Sequence, residues 1–240
     1  MLILALDTTS RAGSIAIVRD GVVLHEFSGD ASRTHGERLP LEFAHACRAA
    51  GVELRDVNLF AVAAGPGSFT GLRVGIAAIQ GLAVAFDRRV VPVSTLAAVA
   101  YSAPADPDRR IGAWVDAHRG EVFAQLFEAG DDPQNPMGIR TPLTEPVSAP
   151  PEQVIDLWLE EWPVKDITFH GDGAVRYAER IRAVRGASSE VADVTPPLAG
   201  VIGRIAASEP DRAVLPHAIV PVYVRRPDAE RARDRRQTSS

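Results

Sequence analysis

The stretch LFAVAAGPGSFTGLRVGIAAIQGLAVAF, residues 59–86, decides the fold of this chain. Residues 59–64 are a continuous apolar run, which is typical of a strand buried on both faces of a parallel sheet. A glycine-rich turn follows over residues 65–71, and apolar residues fill most positions after it. The stretch therefore predicts a buried strand, a glycine loop and a helix from about Thr70 to Phe86, an α/β arrangement.

This predicted helix is apolar nearly all round, so it must be covered on more than one side. Small residues occupy one of its stripes: Gly71, Gly75, Ala78 and Gly81. Glycine costs a helix about 0.8–1.0 kcal/mol relative to alanine, which favours a close approach by another backbone at this stripe. The approaching segment is either another protein or the chain's own helix over residues 35–50, and the two interpretations are compatible.

Patterns on the N-terminal side predict three antiparallel strands and a helix. The strands are Leu2–Leu6, Ser14–Val18 and Val22–Phe27. They are separated by turn residues, and the second turn contains Asp-Gly, a strong hairpin signal. Thr34 and Glu37 have the spacing of a capping box, so a helix is expected from about His35 to Ala50.

Strands and helices alternate again after residue 86. The predicted strands are Val90–Ser94, Ile111–Asp116, Glu121–Glu128 and Ile167–His170, and the predicted helices are Thr95–Tyr101, Pro151–Trp162, Ala174–Val184 and Leu198–Ser208. A cluster of proline and aspartate over residues 103–108 breaks the pattern. We therefore divide the chain into a first half over residues 1–103, a second half over residues 104–224 and a charged tail over residues 225–240.

Length and composition fit a single globular body. The chain has 240 residues, of which 46% are hydrophobic and 24% charged, enough to bury a core,. Residues 225–236 hold six arginines and three acidic residues, which leaves a net charge of −8 in residues 1–224. Phosphate contacts dominate nucleic-acid affinity, so the acidic body predicts RNA binding only together with a partner. The tail is expected to be solvated and disordered.

Cysteine, histidine and apolar patterns narrow the kinds of site. Cys47 is the only cysteine, so no internal disulfide forms and a cytoplasmic location is expected,. No two of the six histidines have the i, i+4 spacing of metal ligands on one helix face, and no serine lies in a G-x-S-x-G motif,. No uncharged stretch is long enough to span a bilayer. We therefore expect no metal, no cofactor, no catalytic residue and no membrane anchor.

Three residues are nevertheless candidates for ligand binding. Gly67 lies in the glycine loop, which offers backbone N–H groups at a helix start but lacks the lysine of a P-loop. A structural strand-to-helix turn is the alternative interpretation of this loop. Asp7 ends the first strand and Asp116 the equivalent strand of the second half, so the two carboxylates can face each other across a cleft and serve magnesium binding or catalysis. The alternative is that each aspartate accepts hydrogen bonds from its own turn.

Three motifs resemble one known family. They are Leu6-Asp7-Thr8-Thr9-Ser10 with Gly13-Ser14-Ile15-Ala16, Gly65-Pro66-Gly67-Ser68-Phe69-Thr70-Gly71-Leu72-Arg73-Val74-Gly75, and Asp116-Ala117-His118-Arg119-Gly120-Glu121-Val122-Phe123. They are similar to motifs of the TsaB (YeaZ-type) family, a subunit of the bacterial machinery that makes threonylcarbamoyladenosine in tRNA. The third motif departs from the family's usual Asp-Ala-Arg-Arg-Gly-Glu-Val-Tyr at His118 and Phe123.

The resemblance implies two ribonuclease-H-like halves of the sugar kinase, Hsp70 and actin class, with mixed sheets flanked by helices. It also implies a catalytic paralogue, TsaD, in which a Val-Asn-His-x-x-Gly-His segment supplies metal ligands. Thr95 and Val99 stand at the two histidine positions here, and neither side chain replaces an imidazole,. The implied function is a non-catalytic subunit that pairs with a TsaD-type enzyme, forms a homodimer in isolation, works beside a TsaE-type ATPase and meets tRNA only through the complex.

We expect the partner surface on the two helices at about residues 35–50 and 70–86. The predicted contact residues are Leu39, Phe43, Cys47, Leu72, Gly75, Ile76 and Ile79. Cys47 is accordingly expected to be unreactive, and Gly75→Arg to block assembly, because a charged side chain in a desolvated contact is unfavourable. The alternative function is an enzyme of the same fold, either an ATP-dependent phosphotransferase that uses Asp7 and Asp116 or a metallopeptidase-like hydrolase.

Overall fold

The strand–loop–helix unit predicted around residues 59–86 is present. In the computed structural model, which describes residues 1–104, 109–128, 140–162, 167–185 and 190–225, the strand spans Leu59–Gly65 and the helix Phe69–Ala85. Ser68 caps the helix, because its hydroxyl accepts a hydrogen bond from the Gly71 N–H at 3.2 Å,. The strand is buried along its whole length, as expected for a strand covered on both faces,.

The first half forms a five-stranded sheet with three helices. The strands are β1 (Leu2–Asp7), β2 (Ser14–Arg19), β3 (Val22–Ser28), β4 (Leu59–Gly65) and β5 (Arg89–Ser94), and the helices are α1 (His35–Ala49), α2 (Phe69–Ala85) and α3 (Thr95–Ser102). The sheet order is β3-β2-β1-β4-β5, with β1 antiparallel to β2 and parallel to β4. Each element ends within one residue of its predicted bounds, because local periodicity and capping signals agree here,.

The second half carries another five-stranded sheet, in the order β10-β9-β6-β7-β8. Its strands are β6 (Arg110–Asp116), β7 (Val122–Phe127), β8 (Val147–Ala149), β9 (Ile167–His170) and β10 (Glu190–Val191), and the remaining helices are α4 (Pro151–Leu159), α5 (Asp172–Arg176), α6 (Ala178–Arg185) and α7 (Ala199–Ser208). The single helix predicted over residues 174–184 is wrong. Tyr177 separates α5 from α6, and its hydroxyl contacts Asp116, a tertiary contact that helical spacing does not reveal.

Helices cover the first sheet on both faces. Leu2, Leu4 and Leu6 of β1 point to the face where α1 and α2 pack. The alternate residues, Ile3 and Ala5, point to the opposite face, where α3 and α7 pack,. The cluster on this second face continues into β6 and β7, so the two sheets share one hydrophobic core. The two-sheet α/β architecture agrees with the fold class implied by the motifs.

The last helix returns to the first half and is capped by it. α7 packs against β1 and β2, and Ser14 Oγ accepts hydrogen bonds from the N–H groups of residues 198 and 199. Glu26 Oε1 accepts a third bond, from the Gly200 N–H at 2.7 Å. A carboxylate at a helix N-terminus is favoured by the helix dipole. Side chains of β2 and β3 therefore fix where α7 begins.

The return of the chain differs from the division predicted from chain order. Val214 pairs with Val90 of β5, so the segment after α7 also lies on the first sheet. Packing thus places residues 198–223 on the first half, although the predicted second half extended to residue 224. Most of the predicted tail, residues 226–240, lies outside the described residues, as do residues 105–108 of the predicted boundary.

The residues predicted to form the partner interface are buried inside the chain. Exposure is at most 5% for the six side chains Leu39, Phe43, Cys47, Leu72, Ile76 and Ile79, and Gly75 is buried as well. The cause is that α1 and α2 turn these faces toward their own sheet and toward the loop after β1. The prediction that these side chains face a partner is therefore wrong for this conformation, and Gly75→Arg does not test assembly.

Cys47 illustrates this burial. The side chain lies in the cluster between α1 and the sheet, beside Phe43. Burial raises the pKa of the Cys47 thiol, and the charge of Asp56 adds to the effect,. The reactive thiolate is thus disfavoured, and the low reactivity of Cys47 stays a prediction.

The glycines of α2 have two different surroundings. A Cβ at Gly75 would overlap Thr8 Oγ1, and a Cβ at Gly71 would overlap the Thr8 carbonyl oxygen. Thr8 Oγ1 donates a hydrogen bond to the Gly71 carbonyl at 2.9 Å. Gly81, by contrast, faces open space. The close approach predicted for this stripe is thus made by the loop after β1, which neither interpretation of the stripe anticipated.

Gly75→Ala and Gly81→Ala form a matched pair within α2. We expect Gly75→Ala to lower the free energy of unfolding by about 1–3 kcal/mol, because the new methyl group is forced against Thr8. Gly81→Ala is expected to raise it by about 0.8–1.0 kcal/mol, because the site is open and alanine favours the helix. Urea denaturation followed by circular dichroism measures both. Equal effects in the two variants would contradict the packing of α2 on Thr8.

Candidate functional site

The two halves enclose a cavity of about 460 Å³ beside the glycine loop. It is lined by the start of α2 over residues 66–70, by the turn between β6 and β7 over residues 116–119, and by the C-terminal residues 222–225. Aromatic and basic side chains contribute to the lining: Phe69, Phe123, Tyr223, Arg119 and Arg225. Two of the predicted candidates, Gly67 and Asp116, border this one cavity.

Gly67 approaches the loop after β1 closely. A Cβ at this position would lie 2.5 Å from the Thr9 Cβ. The neighbouring Ser68 N–H donates a hydrogen bond to the Thr9 carbonyl at 2.9 Å. Packing against Thr9 accounts for a glycine at position 67 without a ligand, in agreement with the structural interpretation of the loop. Phosphate binding by the loop stays a prediction.

Asp116 organises the turn between β6 and β7. Its carboxylate is 10% exposed and is surrounded by donors. The His118 N–H at 3.0 Å and the Tyr177 hydroxyl at 3.4 Å donate to Oδ1. His118 Nδ1 at 3.3 Å and Arg176 Nε at 3.5 Å lie next to Oδ2. A carboxylate with these partners is held in place, which agrees with the interpretation of Asp116 as a turn residue.

Asp7 is almost completely buried at the end of β1. Its Oδ1 accepts hydrogen bonds from the Thr9 N–H at 2.8 Å and the Thr9 hydroxyl at 2.6 Å. Burial raises the pKa of Asp7, the two Thr9 bonds oppose this rise, and the charge of Asp172 adds to it,. Asp7 lines a second cavity of about 150 Å³. Asp7 and Asp116 therefore border different cavities and do not face each other across one cleft.

Asp172 lies between these two carboxylates. It begins α5, lines the smaller cavity with Asp7, and accepts a hydrogen bond from the Asp116 N–H at 3.0 Å. Burial raises the pKa of Asp172, the bond from Asp116 lowers it, and the charge of Asp116 raises it again. Sequence analysis missed this residue. The available signal is the Gly171-Asp172-Gly173 sequence directly after β9, which puts a carboxylate at the carboxyl end of a parallel strand.

Thr95 and Val99 both line the smaller cavity with Asp7. Thr95 is fully buried, and its hydroxyl has no hydrogen-bond partner in the described part of the chain. These are the positions at which the resemblance puts histidine ligands in the catalytic paralogue. A hydroxyl and an isopropyl group supply no nitrogen ligand. Within the described ranges no group of three or more His, Cys, Asp or Glu side chains is arranged to hold a metal ion.

Comparison with known sequences shows that this chain is similar to proteins of tRNA modification. The profile of the TsaD family, tRNA N6-adenosine threonylcarbamoyltransferase, matches residues 25–136. The chain is 39% identical over 133 residues to the tRNA threonylcarbamoyladenosine biosynthesis protein TsaB of Escherichia coli, covering 55% of this chain and 57% of that protein. The match thus spans little more than half of that relative. The TsaB protein of Bacillus subtilis is 27% identical over 243 residues, 96% of each chain.

Comparison with solved structures extends the likeness over both halves. YeaZ from Pseudomonas aeruginosa superposes with a TM-score of 0.75 at 30% sequence identity. The match covers 92% of this chain and 99% of that one. The shared architecture therefore includes the second sheet, whose strands β8, β9 and β10 lie beyond the residues matched by the family profile.

Asp7→Asn is expected to stabilise the fold at neutral pH by on the order of 1 kcal/mol, because the amide keeps an acceptor for Thr9 and removes a buried charge. Because burial raises the pKa of Asp7, its protonated carboxyl stabilises the fold, and this stabilisation is complete below the ordinary pKa of 3.8. The stabilisation is lost as the pH rises through the pKa of the folded state. The advantage of Asp7→Asn should therefore shrink on acidification. Urea unfolding over a pH series measures it.

Asp7→Ala is the control for this prediction. It removes both acceptor bonds and leaves the Thr9 N–H unpaired, so it should be about 1–3 kcal/mol less stable than Asp7→Asn at every pH, because neither variant titrates at this position. If Asp7→Asn were less stable than the unmodified chain at neutral pH, the ionised carboxylate would have to be stabilised by its surroundings, contrary to the pKa direction.

Proposed function

The chain belongs to the TsaB/YeaZ family, and we propose from this premise that it is a non-catalytic subunit that binds and activates a TsaD-type catalytic subunit. The activated reaction is threonylcarbamoyl transfer to the adenosine next to the anticodon of tRNA. The observation that carries the proposal is the occupation of both histidine positions by Thr95 and Val99, beside the buried Asp7. The cavity keeps the acidic residues of a reactive site and has no imidazole where the resemblance puts the metal ligands.

The other candidate groups also support a non-catalytic role. Asp116 is paired with Arg176 and bonded to Tyr177, so its carboxylate is committed to the turn. Cys47 is buried away from both cavities, among the residues between α1 and the sheet. The Thr9 hydroxyl and the Asp7 carboxylate, 2.6 Å apart in the smaller cavity, are at most 6% exposed, so we infer that they stabilise the loop after β1 and do not serve covalent catalysis,.

The partner surface that we propose is the outward side of α1 and α2. We name it the α1–α2 face and define it by the exposed residues Leu41, Ala77, Gly81 and Val84 with the half-buried Val74, Ala78 and Leu82. Leu41 is 69% exposed and Val84 is 71% exposed, which leaves aliphatic side chains in solvent. Exposed aliphatic side chains on neighbouring helices are typical of a protein–protein contact. The α1–α2 face thus replaces the buried residues predicted from the sequence.

A TsaD-type partner suits this face because the two proteins are alike there. The TsaD profile matches residues 25–136, a range that includes all of α1 and α2. A partner with the same pair of helices can oppose them with a similar apolar face, which makes a four-helix contact. The same face accounts for self-association when the catalytic subunit is absent. A face that is complementary to the similar face of a TsaD-type protein is also complementary to the same face of a second copy of this chain.

The remaining partners follow from charge and family. Residues 1–224 carry a net charge of −8, so we propose that tRNA is contacted only through the complex,. A TsaE-type ATPase is the third protein of the proposed machinery, which we place in the cytoplasm. Among the helices of the described residues, none is long and apolar enough to cross a bilayer.

Gly81→Arg should abolish both self-association and pairing with the TsaD-type subunit while leaving the fold intact. The site faces open space in the monomer, so the arginine fits there, whereas in the complex it would enter a desolvated contact at a cost of several kcal/mol,. Light-scattering mass and co-purification measure assembly, and circular dichroism confirms folding. Leu157→Arg on α4, where the leucine is 50% exposed, is the control. A folded Gly81→Arg chain that still pairs would exclude Gly81 from the interface.

The purified chain alone should show no magnesium-dependent ATP hydrolysis above background and no threonylcarbamoyl transfer, because Thr95 and Val99 supply no metal ligand in the smaller cavity,. A steady-state phosphate-release assay on the unmodified chain and on Asp7→Ala measures this. Activity present in the first and lost in the second would favour the alternative function, a phosphotransferase. Adding the TsaD-type subunit and tRNA should produce modified adenosine, which nucleoside analysis by mass spectrometry detects.

A further inference from the structure

Residues 222–225, the last that the structure describes, are named the latch here and are attached to the first half at their start. The Val222 N–H donates a hydrogen bond to the Ala64 carbonyl at 2.7 Å, at the end of β4. The Val222 carbonyl oxygen lies against Gly65, where a Cβ would approach it to 2.7 Å. A side chain at position 65 would thus displace the latch from the glycine loop.

Tyr223 adds a second attachment to the first half. Its ring lies 5.4 Å from the ring of Phe69, and its hydroxyl accepts a hydrogen bond from Arg73 Nε at 3.3 Å. The Arg73 guanidinium also lies 3.8 Å from the centre of the Phe69 ring. A cation over an aromatic face is attractive. The latch is therefore held at the start of α2 by contacts among Phe69, Arg73 and Tyr223.

Arg225 then crosses to the second half. Its Nη1 donates to the Ala117 carbonyl at 2.9 Å, and its Nη2 pairs with Glu121 Oε2 at 2.5 Å. The guanidinium also lies 5.6 Å from the centre of the Phe123 ring. The arginine side chain is only 17% exposed. One side chain thus holds both ends of the turn between β6 and β7.

That turn has an unusual backbone. His118 and Arg119 adopt φ angles of 58° and 57°, and Gly120 follows with 81°. A left-handed conformation costs a residue with a side chain roughly 1–2 kcal/mol, so two in succession need support from their surroundings. Arg225 supplies this support, because it bonds to Ala117 directly before the two residues and to Glu121 directly after Gly120.

We propose that the latch narrows the mouth of the cavity of about 460 Å³, and that release of Arg225 widens it. The latch and the supported turn are both parts of the cavity wall, so loss of the Arg225 contacts frees the turn to move away from the glycine loop. The opening is local, because the two sheets remain joined through their shared core around α3 and α7. Access to the cavity is in this way controlled by a segment outside both sheets.

Hydrogen–deuterium exchange at the turn tests the latch. The Ala117 N–H bonds to the Glu121 carbonyl and the Glu121 N–H to the His118 carbonyl, both at 3.1 Å, so these two amides report opening of the turn. Arg225→Ala should accelerate their exchange about tenfold or more. The exchange rates in Arg225→Lys should lie between those of the unmodified chain and of Arg225→Ala, because an ammonium group does not reproduce the two-pronged contact of the guanidinium. Arg212→Ala, whose ion pair with Glu209 stays within the C-terminal segment, should change exchange less than about twofold,.

Thiol labelling tests the cavity itself. Ala117 lines the cavity and is 5% exposed, so Ala117→Cys should react slowly with the latch in place and about tenfold faster when combined with Arg225→Ala,. The native Cys47 serves as the internal reference, because it is buried in a different cluster. Unchanged exchange and labelling in Arg225→Ala would overturn the proposal. Equal acceleration at Cys47 would also overturn it, because the effect would then be global unfolding.

Discussion

The fold depends on the contact between the loop after β1 and the first turns of α2. A Cβ at Gly67, Gly71 or Gly75 would come closer than 3.0 Å to an atom of Thr8 or Thr9. Two segments approach this closely only where one of them lacks side chains, so the glycines bring α2 directly onto the end of β1. This contact decides where Asp7 lies, which side of α2 faces solvent and where the glycine loop borders the larger cavity. The cost of three glycines near a helix start is offset by the position they give to the whole helix.

Buried carboxylates at the junction of the two halves are the main electrostatic consequence of this arrangement. Asp7 and Asp116 end the first strand of each sheet, and Asp172 follows a strand parallel to β6. Burial raises the pKa of Asp7 and of Asp172, so keeping both ionised at neutral pH reduces stability,. A purely structural chain gains nothing from this cost. The presence of these buried carboxylates beside Thr95 and Val99 supports the proposal of a scaffold that resembles a catalytic paralogue and carries no catalytic site of its own.

α2 connects the interior, the proposed partner surface and the cavity. Gly71 and Gly75 contact Thr8 inside the chain, the outward side of α2 forms part of the α1–α2 face, and Phe69 in the first turn of α2 packs against Tyr223 of the latch. The segment from α7 to the latch joins the two halves, because Ser14 caps α7 and Arg225 of the latch bonds to Ala117. The proposed partner surface and the wall of the larger cavity are thus parts of the same helix.

The sequence by itself determined the elements of the first half, because a buried strand, a glycine loop and an apolar helix are encoded by neighbouring residues such as those over 59–86. It also determined the family, because the motifs are contiguous. The tertiary structure alone decided which residues of α1 and α2 face solvent, since an all-round apolar helix does not show which of its sides its own chain covers. It likewise decided that Asp172 joins Asp7 and that residues 198–223 return to the first half. Such contacts join residues far apart in the chain, and no local pattern records them.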